Sequence, residues 1–405
     1  MSLPNIDINL GNGQIGTVAE NEDRTSVVLC GAAAVGSTFA LETAYTVKGM
    51  ADVANLGIVD SVDNHKLYKF CKEFYEEAGE GTLLWIYAFD KDTLISEYFT
   101  ADVTTGRVPA QEVLDLANGA IRRIYTVFNP DGSYIPVLED GLDADVWVTL
   151  QKAQLFAENY TAQKYAPVRI AIEGFAFDGN KTTLETLVNK DYNRVSVVIG
   201  DTEPRTGSYS NFGAAIGVLA GRMAAFPIHN NIGKVKNGAL QPLRMYIVNT
   251  LVEQYDVAAL HDKSYITFRK HQSKAGYYFS DDPQACSIED DYHSNSRGDV
   301  IDKAFRLTYA VQVEEILDES WINEDGTPDA IWAKDLEGRI ESYIMANMGA
   351  QLQYRTGDTQ LPVKVFIDPN QNVATTSKIK TVIKVKPWGY VRFMETELSY
   401  SLQNN

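Results

Sequence analysis

From Thr25 to about residue 200, short apolar runs alternate with longer amphipathic ones, five times over. This alternation limits the fold more than any other feature. Runs without a wet face belong in the middle of a parallel sheet, and parallel strands need a crossover, usually helical, between them. SVVLCG (Ser26–Gly31) is the first such run, with a glycine exit. A helix is predicted over Asn64–Glu77, with Leu67, Phe70, Cys71 and Phe74 on one face. TLLWIYAF (Thr82–Phe89) follows, then a proline-opened helix over Pro109–Asn118. IRRIYTVF, a long helix over Asp143–Tyr160, PVRIAIEGF, a helix over Thr182–Asn189 and RVSVVIGD complete the series. The predicted class is α/β, with a doubly wound, mainly parallel sheet in the N-terminal half. A further helix, Asn211–Phe226, closes this half. Its Gly213, Gly217 and Gly221 form a flat stripe that lets another backbone approach closely.

The second half changes character. Tyr265–Phe279 holds two strand-like pieces around Lys270–Gly276, and an acidic loop, Asp281–Asp291, reads as hydrated. Ser296 can cap a helix from Arg297 to about Glu319, with Ile301, Ala304, Phe305 and Thr308 along one face. Thr327-Pro328 opens another, to Met348, with Trp332, Leu336, Ile340, Tyr343 and Ile344 as its stripe. LPVKVFID and the last strands complete an α+β unit. Both ends carry a period of two, the mark of a strand with one wet face. Ile379, Thr381, Ile383 and Val385 alternate with Lys380, Val382, Lys384 and Lys386. After Pro387-Trp388-Gly389 a second run, Tyr390–Tyr400, follows. At the start, Ile6, Ile8 and Leu10 alternate with Asn5, Asp7 and Asn9 before Gly11-Asn12-Gly13 turns the chain. Such extended β arms need partners for their backbone groups, either in their own domain or in a neighbouring copy. The expected division is a strand arm and linker over 1–24, an α/β domain over 25–235, an α+β domain over 236–386 and a C-terminal strand arm over 387–405.

Few chemistries fit. With 405 residues, 45% apolar and 22% charged, the composition is that of an ordinary globular protein. A net charge of -18 disfavours a phosphate backbone as partner, so no direct nucleic acid contact is expected. No apolar run is long enough for direct membrane insertion, and MSLPNIDINLGNG lacks the pattern of a secretory signal. Cys30, Cys71 and Cys286 are far apart, which reads as reduced thiols. Gly31–Thr38 has the glycine spacing of a phosphate loop, but Ser37 stands at the lysine position. Asp281, Asp282, Asp290, Asp291 and His293 lack the spacing of a calcium loop. Neither a catalytic set nor a metal site is assembled by the sequence, and no cofactor is expected.

Several stretches together resemble the tail sheath proteins of contractile phage tails and related injection systems, especially their Bacteroidetes-type branch. They are LPNIDINLGNGQIG, IGVLAGRMAAFPIHNNIGKV, AGYYFSDD, SRGDVIDKAFRLTYA and KVKPWGYVRFMETELSY. Their order along the chain carries the resemblance. It implies an α/β core with a C-terminal sheath domain, and terminal arms that complete a sheet shared between subunits. The implied function is structural, not enzymatic. Hexameric rings stack helically around an inner tube, between baseplate and tail terminator, and contract to drive the tube through a membrane. Assembly in the bacterial cytoplasm, then residence in a virion tail or injection particle, is implied as well. Ile6, Ile8, Leu10, Ile379, Ile383, Val385, Tyr390 and Phe393 are the expected interface residues of the arms. Because the family's C-terminal half faces inward, the Pro328–Met348 helix is the expected tube-facing element, through Lys334 and Arg339. The alternative reading is a Rossmann-like cytoplasmic enzyme of unknown substrate, which rests on the alternating first half.

Overall fold

The computed structural model describes residues 22–205, 212–355 and 357–400. Contacts divide the chain into two units, Met1–Arg306 and Leu307–Asn405. The expected N-terminal strand, with Ile6, Ile8 and Leu10, lies outside the described residues.

The first unit is built on a mixed sheet. Its strands are β1 (Ser26–Gly31), β2 (Ala44–Val47), β3 (Leu84–Phe89) and β4 (Arg123–Val127). After a two-residue ladder, β5 (Leu138–Glu139) with β6 (Leu142–Asp143), come β7 (Arg169–Glu173) and β8 (Val195–Val198). The order is β2-β3-β1-β4-β7-β8. All neighbours are parallel except β2, which runs antiparallel on β3. Every residue of β1, β4, β7 and β8 is buried, as their continuous apolar runs require. The edge strand β2, AYTV, is only half-buried and has too weak a pattern to be read from sequence.

Helices α1 (Met50–Asn55), α2 (His65–Ala78), α3 (Pro109–Leu116), α4 (Ala144–Lys164) and α5 (Ile216–Ala225) connect and cover the strands. The predicted helix over Thr182–Asn189 is instead a chain of turns. Thr182 donates its N–H to Asn180 Oδ1 at 2.9 Å, and Thr183 its hydroxyl to Asp178 Oδ2 at 3.1 Å. These local side-chain bonds compete with a helical backbone. The glycine stripe of α5 packs on α2. A Cβ at Gly217 would lie 2.6 Å from Phe70 O, and one at Gly221 2.4 Å from Phe74 O.

Residues 236–306 belong with the sheet, beyond the boundary expected at 235. They contain β9 (Tyr246–Ile247), β10 (Thr250–Leu251), α6 (Val257–His261), β11 (Phe268–Arg269) and β12 (Tyr278–Phe279). Ile266 extends the sheet beside β8, donating to Val197 O and accepting from Ile199 N, both at 2.9 Å. The loop read as hydrated is partly core. Asp281 and Asp282 are buried, and Asn231 Nδ2 donates to both at 2.6 Å.

Helix α7 (Asn295–Gln312) runs across the boundary between the units. It stops well before Glu319. Glu314, Glu315, Asp318 and Glu319 follow, and acids oppose the negative end of a helix. The second unit holds α8 (Ala330–Met348), β13 (Val363–Ile367) and β14 (Thr381–Val385). Asp329 caps α8, accepting from Ile331 N and Trp332 N. Strands β13 and β14 form an antiparallel hairpin, with Val365 opposite Ile383.

Candidate assembly surface

In an open parallel sheet, ligands bind outside the carboxyl ends of the strands. That crevice is filled by the chain itself. Asn129 Nδ2 donates to Gly31 O at 2.9 Å and to Asp63 O at 2.7 Å. Lys66 Nζ donates to Phe128 O at 2.6 Å, and Glu173 accepts from the N–H groups of Phe128 and Ala214. Lys69 sits 2.5 Å from Asp201 and 3.0 Å from Glu73. Burial pushes the Glu173 carboxyl above its usual range and the Lys66 ammonium below its own. Two cavities there hold only about 10 Å³ each, and a groove of about 540 Å³ opens beyond the end of β3, lined by Phe89, Thr93 and Glu97. The phosphate-like loop is stitched to the start of α2, since Ala33 N donates to Asn64 Oδ1 at 2.8 Å. Asp281, Asp282, Asp290, Asp291 and His293 do not converge. Among the described residues, no group of three or more His, Cys, Asp or Glu is arranged to hold a metal ion.

The opposite end of the sheet carries a buried charge clamp. Arg24, Arg123, Arg169 and Arg194 stand at or just before the starts of β1, β4, β7 and β8. Arg24 Nε reaches Asp299 Oδ2 at 2.9 Å, and Arg123 Nη2 reaches Asp299 Oδ1 at 2.6 Å. Arg169 Nε binds Asp302 Oδ2 at 2.8 Å, and Arg194 the same oxygen at 3.3 Å. Both acids lie on α7, one turn apart. Burial opposes the ionised form of Asp299, yet Arg123, Arg24 and Arg169 together hold its carboxyl below the usual range. Gly298 makes the approach possible, because a Cβ there would lie 2.0 Å from Arg169 Cζ. The helix face read from sequence missed this. Asp299 and Asp302 are buried, while Phe305 is exposed.

In the second unit the hairpin has two unlike edges. Lys386 N donates to Pro362 O at 2.7 Å. In an antiparallel ladder the bonded pairs alternate, so Lys384 with Lys364 and Val382 with Phe366 are bonded too. The backbone groups of Thr381, Ile383 and Val385 therefore point away from β13. On the far side of β13 two outward N–H groups are capped by α8. Glu341 Oε1 accepts from Val365 N and Glu337 Oε1 from Ile367 N, each at 2.8 Å. Beyond Lys386, residues 387–400 have no regular secondary structure. There Val391, Phe393, Met394, Leu398 and Tyr400 are exposed, Leu398 by 95%.

Of the expected interface residues, Ile383 and Val385 lie in β14, half-buried, and Ile379 is half-buried just before it. Tyr390 is half-buried and Phe393 exposed in the segment that follows. The strand 381–385 is thus paired with β13 of its own chain. Lys334 and Arg339 sit on the exposed side of α8. Lys334 Nζ is 2.5 Å from Glu337 Oε2. Arg339 binds Glu315 at 2.7 Å and Asp335 at 3.1 Å. Sequence reasoning missed the glutamate caps and the arginine clamp. The clamp had a signal, the recurrence of arginine at each strand start in DRTSVV, RRIYTV, VRIAIE and NRVSVV.

The fold is similar to that of chains from solved contractile-injection assemblies. Against a chain of the anti-feeding prophage (AFP) helical sheath in its contracted state, the TM-score is 0.57 at 10% identity, covering 98% of this chain and 99% of that one. The contracted sheath complex of the extracellular contractile injection system PVC gives 0.58 at 11%, covering 99% and 98%. A chain of the contracted AFP baseplate gives 0.61 at 15%, covering all of both chains. No curated protein matches in sequence. The chain belongs to the DUF2586 family: residues 3–283 match its N-terminal domain and residues 291–405 its C-terminal domain.

Proposed function

We propose that this protein is a structural subunit of a contractile tail sheath. The observation that carries the reading is the hairpin of the second unit. One edge is capped by Glu337 and Glu341, the other is presented by Thr381, Ile383 and Val385, and a segment without regular secondary structure, 387–400, rich in exposed apolar side chains, follows. A hairpin with one open edge suits strand addition from another copy, and residues 387–400 suit the role of the added strand. The C-terminal arm would pass to a neighbouring subunit, as would the N-terminal arm with Ile6, Ile8 and Leu10. Main-chain pairing of this kind keeps subunits connected while they rotate. The whole-chain likeness to AFP and PVC sheath chains supports the same reading.

On this reading hexameric rings stack helically around an inner tube, above a baseplate and below a terminator, and contract without catalytic turnover. Contraction energy is then a difference in packing between two lattice states. Lys334 and Arg339 of α8 are the proposed tube contacts. Arg339 would have to exchange its bonds to Glu315 and Asp335 for tube carboxylates. Assembly takes place in the cytoplasm, and the particle is the final location. The crevice between the ends of β1, β4 and β7 is filled by the chain's own side chains, which disfavours the alternative of a Rossmann-like enzyme. Electron microscopy of the expressed protein tests the proposal: striated cylinders or stacked rings are expected, and uniform monomers at high concentration would overturn it.

A further inference from the structure

A groove of about 570 Å³ lies in the first unit, between α6 with its preceding turn and the β11–β12 hairpin. Tyr255, Val257 and Ala258 give it an apolar wall, and Arg269, Lys270 and Lys274 a cationic rim. In a chain of net charge -18 such a rim is unusual. Glu253 offsets part of it, 4.0 Å from Lys270 and accepting from Tyr277 OH at 2.9 Å. His271 on the same rim is held below its usual range by burial and by the charges of Arg269 and Lys274.

The second unit displays the complementary surface. After α7 the chain makes a knuckle in which Ile316, Leu317 and Trp321 are 65%, 101% and 75% exposed. Asp318 and Glu319 lie between them, also exposed. Leu317 is held at φ 65°, a left-handed conformation that non-glycine residues rarely adopt. The knuckle is braced at its base, where Glu315 binds Arg339 at 2.7 Å. A braced, strained turn that presents apolar side chains to water is a candidate contact surface.

We propose that the groove of one copy docks the 316–321 knuckle of a second copy of this chain. Acids of the knuckle meet Arg269, Lys270 and Lys274, and its apolar side chains meet Tyr255, Val257 and Ala258. Because the two surfaces differ, the contact is heterologous and propagates into rings or open filaments rather than closing as a dimer. It is separate from strand exchange at the hairpin and does not depend on it.

The test uses two full-length single variants, Gln272→Cys and Ser320→Cys, whose native cysteines are buried. Mixed and treated with a short bismaleimide, they are expected to give a crosslinked dimer in far higher yield than either alone. No excess over the single variants overturns the proposal. So does a chain carrying both cysteines that crosslinks only within itself. Charge reversal, as Asp318→Lys with Glu319→Lys or Lys270→Glu with Lys274→Glu, is expected to lower the yield at least tenfold, with circular dichroism unchanged. Combining both reversals in one chain is expected to restore it, and failure to restore it overturns the contact. Electron microscopy separates the two readings. Cylinders without the crosslink refute the groove contact alone, and the crosslink without cylinders refutes the sheath alone.

Discussion

Asp299 and Asp282 are both buried acids of the first unit, and their surroundings push them in opposite directions. Asp299 is surrounded by guanidinium groups and stays ionised. Removing one partner of a buried charge set leaves the others uncompensated, at a cost of about 3–5 kcal/mol. Asp299→Asn is expected to lose that much in chemical denaturation, whereas Lys164→Ala, at an exposed pair with Asp115, is expected to lose less than about 1 kcal/mol. Asp282 is pushed up to about 8, by burial and then by the Asp281 charge beside it. A carboxyl raised above its unfolded value, about 4, stabilises the fold at low pH and loses that contribution as pH rises through the folded value. Asp282→Asn should therefore gain stability relative to the parent between pH 5 and pH 8.5, read as melting temperatures at both. A constant difference across that range would refute the assignment. Neither acid was legible as buried. Asp299 meets Arg24, which is 275 positions away in sequence, and only the folded sheet brings them together.

Elements were legible where burial alone determines their pattern. SVVLCG became β1 over the expected residues, because a run this short, rich in β-branched residues and ended by glycine, suits a strand buried on both faces. The half-buried β2 and the turns over 182–189 were not, since local hydrogen bonding and edge exposure weaken any period there. Gly217 and Gly221 were read correctly as a close helix contact, whereas Gly213 lies before α5, which starts at Ile216 rather than Asn211. Gly217→Ala should cost about 1–3 kcal/mol, because its new methyl meets backbone rather than a flexible side chain. Gly338, inside α8, has nothing within 4 Å of a built Cβ. Gly338→Ala should instead stabilise by about 0.5–1 kcal/mol. Strand β14 allows a sharper test. The Ile383 N–H points away from β13, so Ile383→Pro keeps the hairpin's own bonds, whereas Lys384→Pro breaks one. Ile383→Pro is expected to fold and fail to assemble, and Lys384→Pro to lose the hairpin. Cylinders formed by Ile383→Pro would rule out pairing at that edge.

At the scale of the whole molecule, the question is what residues 387–400 contribute to a single chain. Lys386 supplies the last bond of the hairpin, donating to Pro362 O at 2.7 Å, and also accepts from Gln353 N, ahead of β13, at 3.1 Å. Beyond it, Val391, Phe393, Met394, Leu398 and Tyr400 remain exposed. Ten extended residues, 391–400, would span about 33 Å, enough to add a full strand elsewhere. A chain ending at Arg392, which keeps the half-buried Trp388 and Tyr390 and loses the exposed Phe393, Met394, Leu398 and Tyr400, should therefore melt within a few degrees of the parent, since substitutions of exposed groups usually change stability by about 0.5 kcal/mol or less. It should also stay monomeric where the parent polymerises, as read by light scattering and electron microscopy. If these residues instead completed their own unit, the truncation would expose a core edge, lower the melting temperature sharply and aggregate. A truncated chain that folds and still builds cylinders would show that the lattice is held by other surfaces, the groove and knuckle among them.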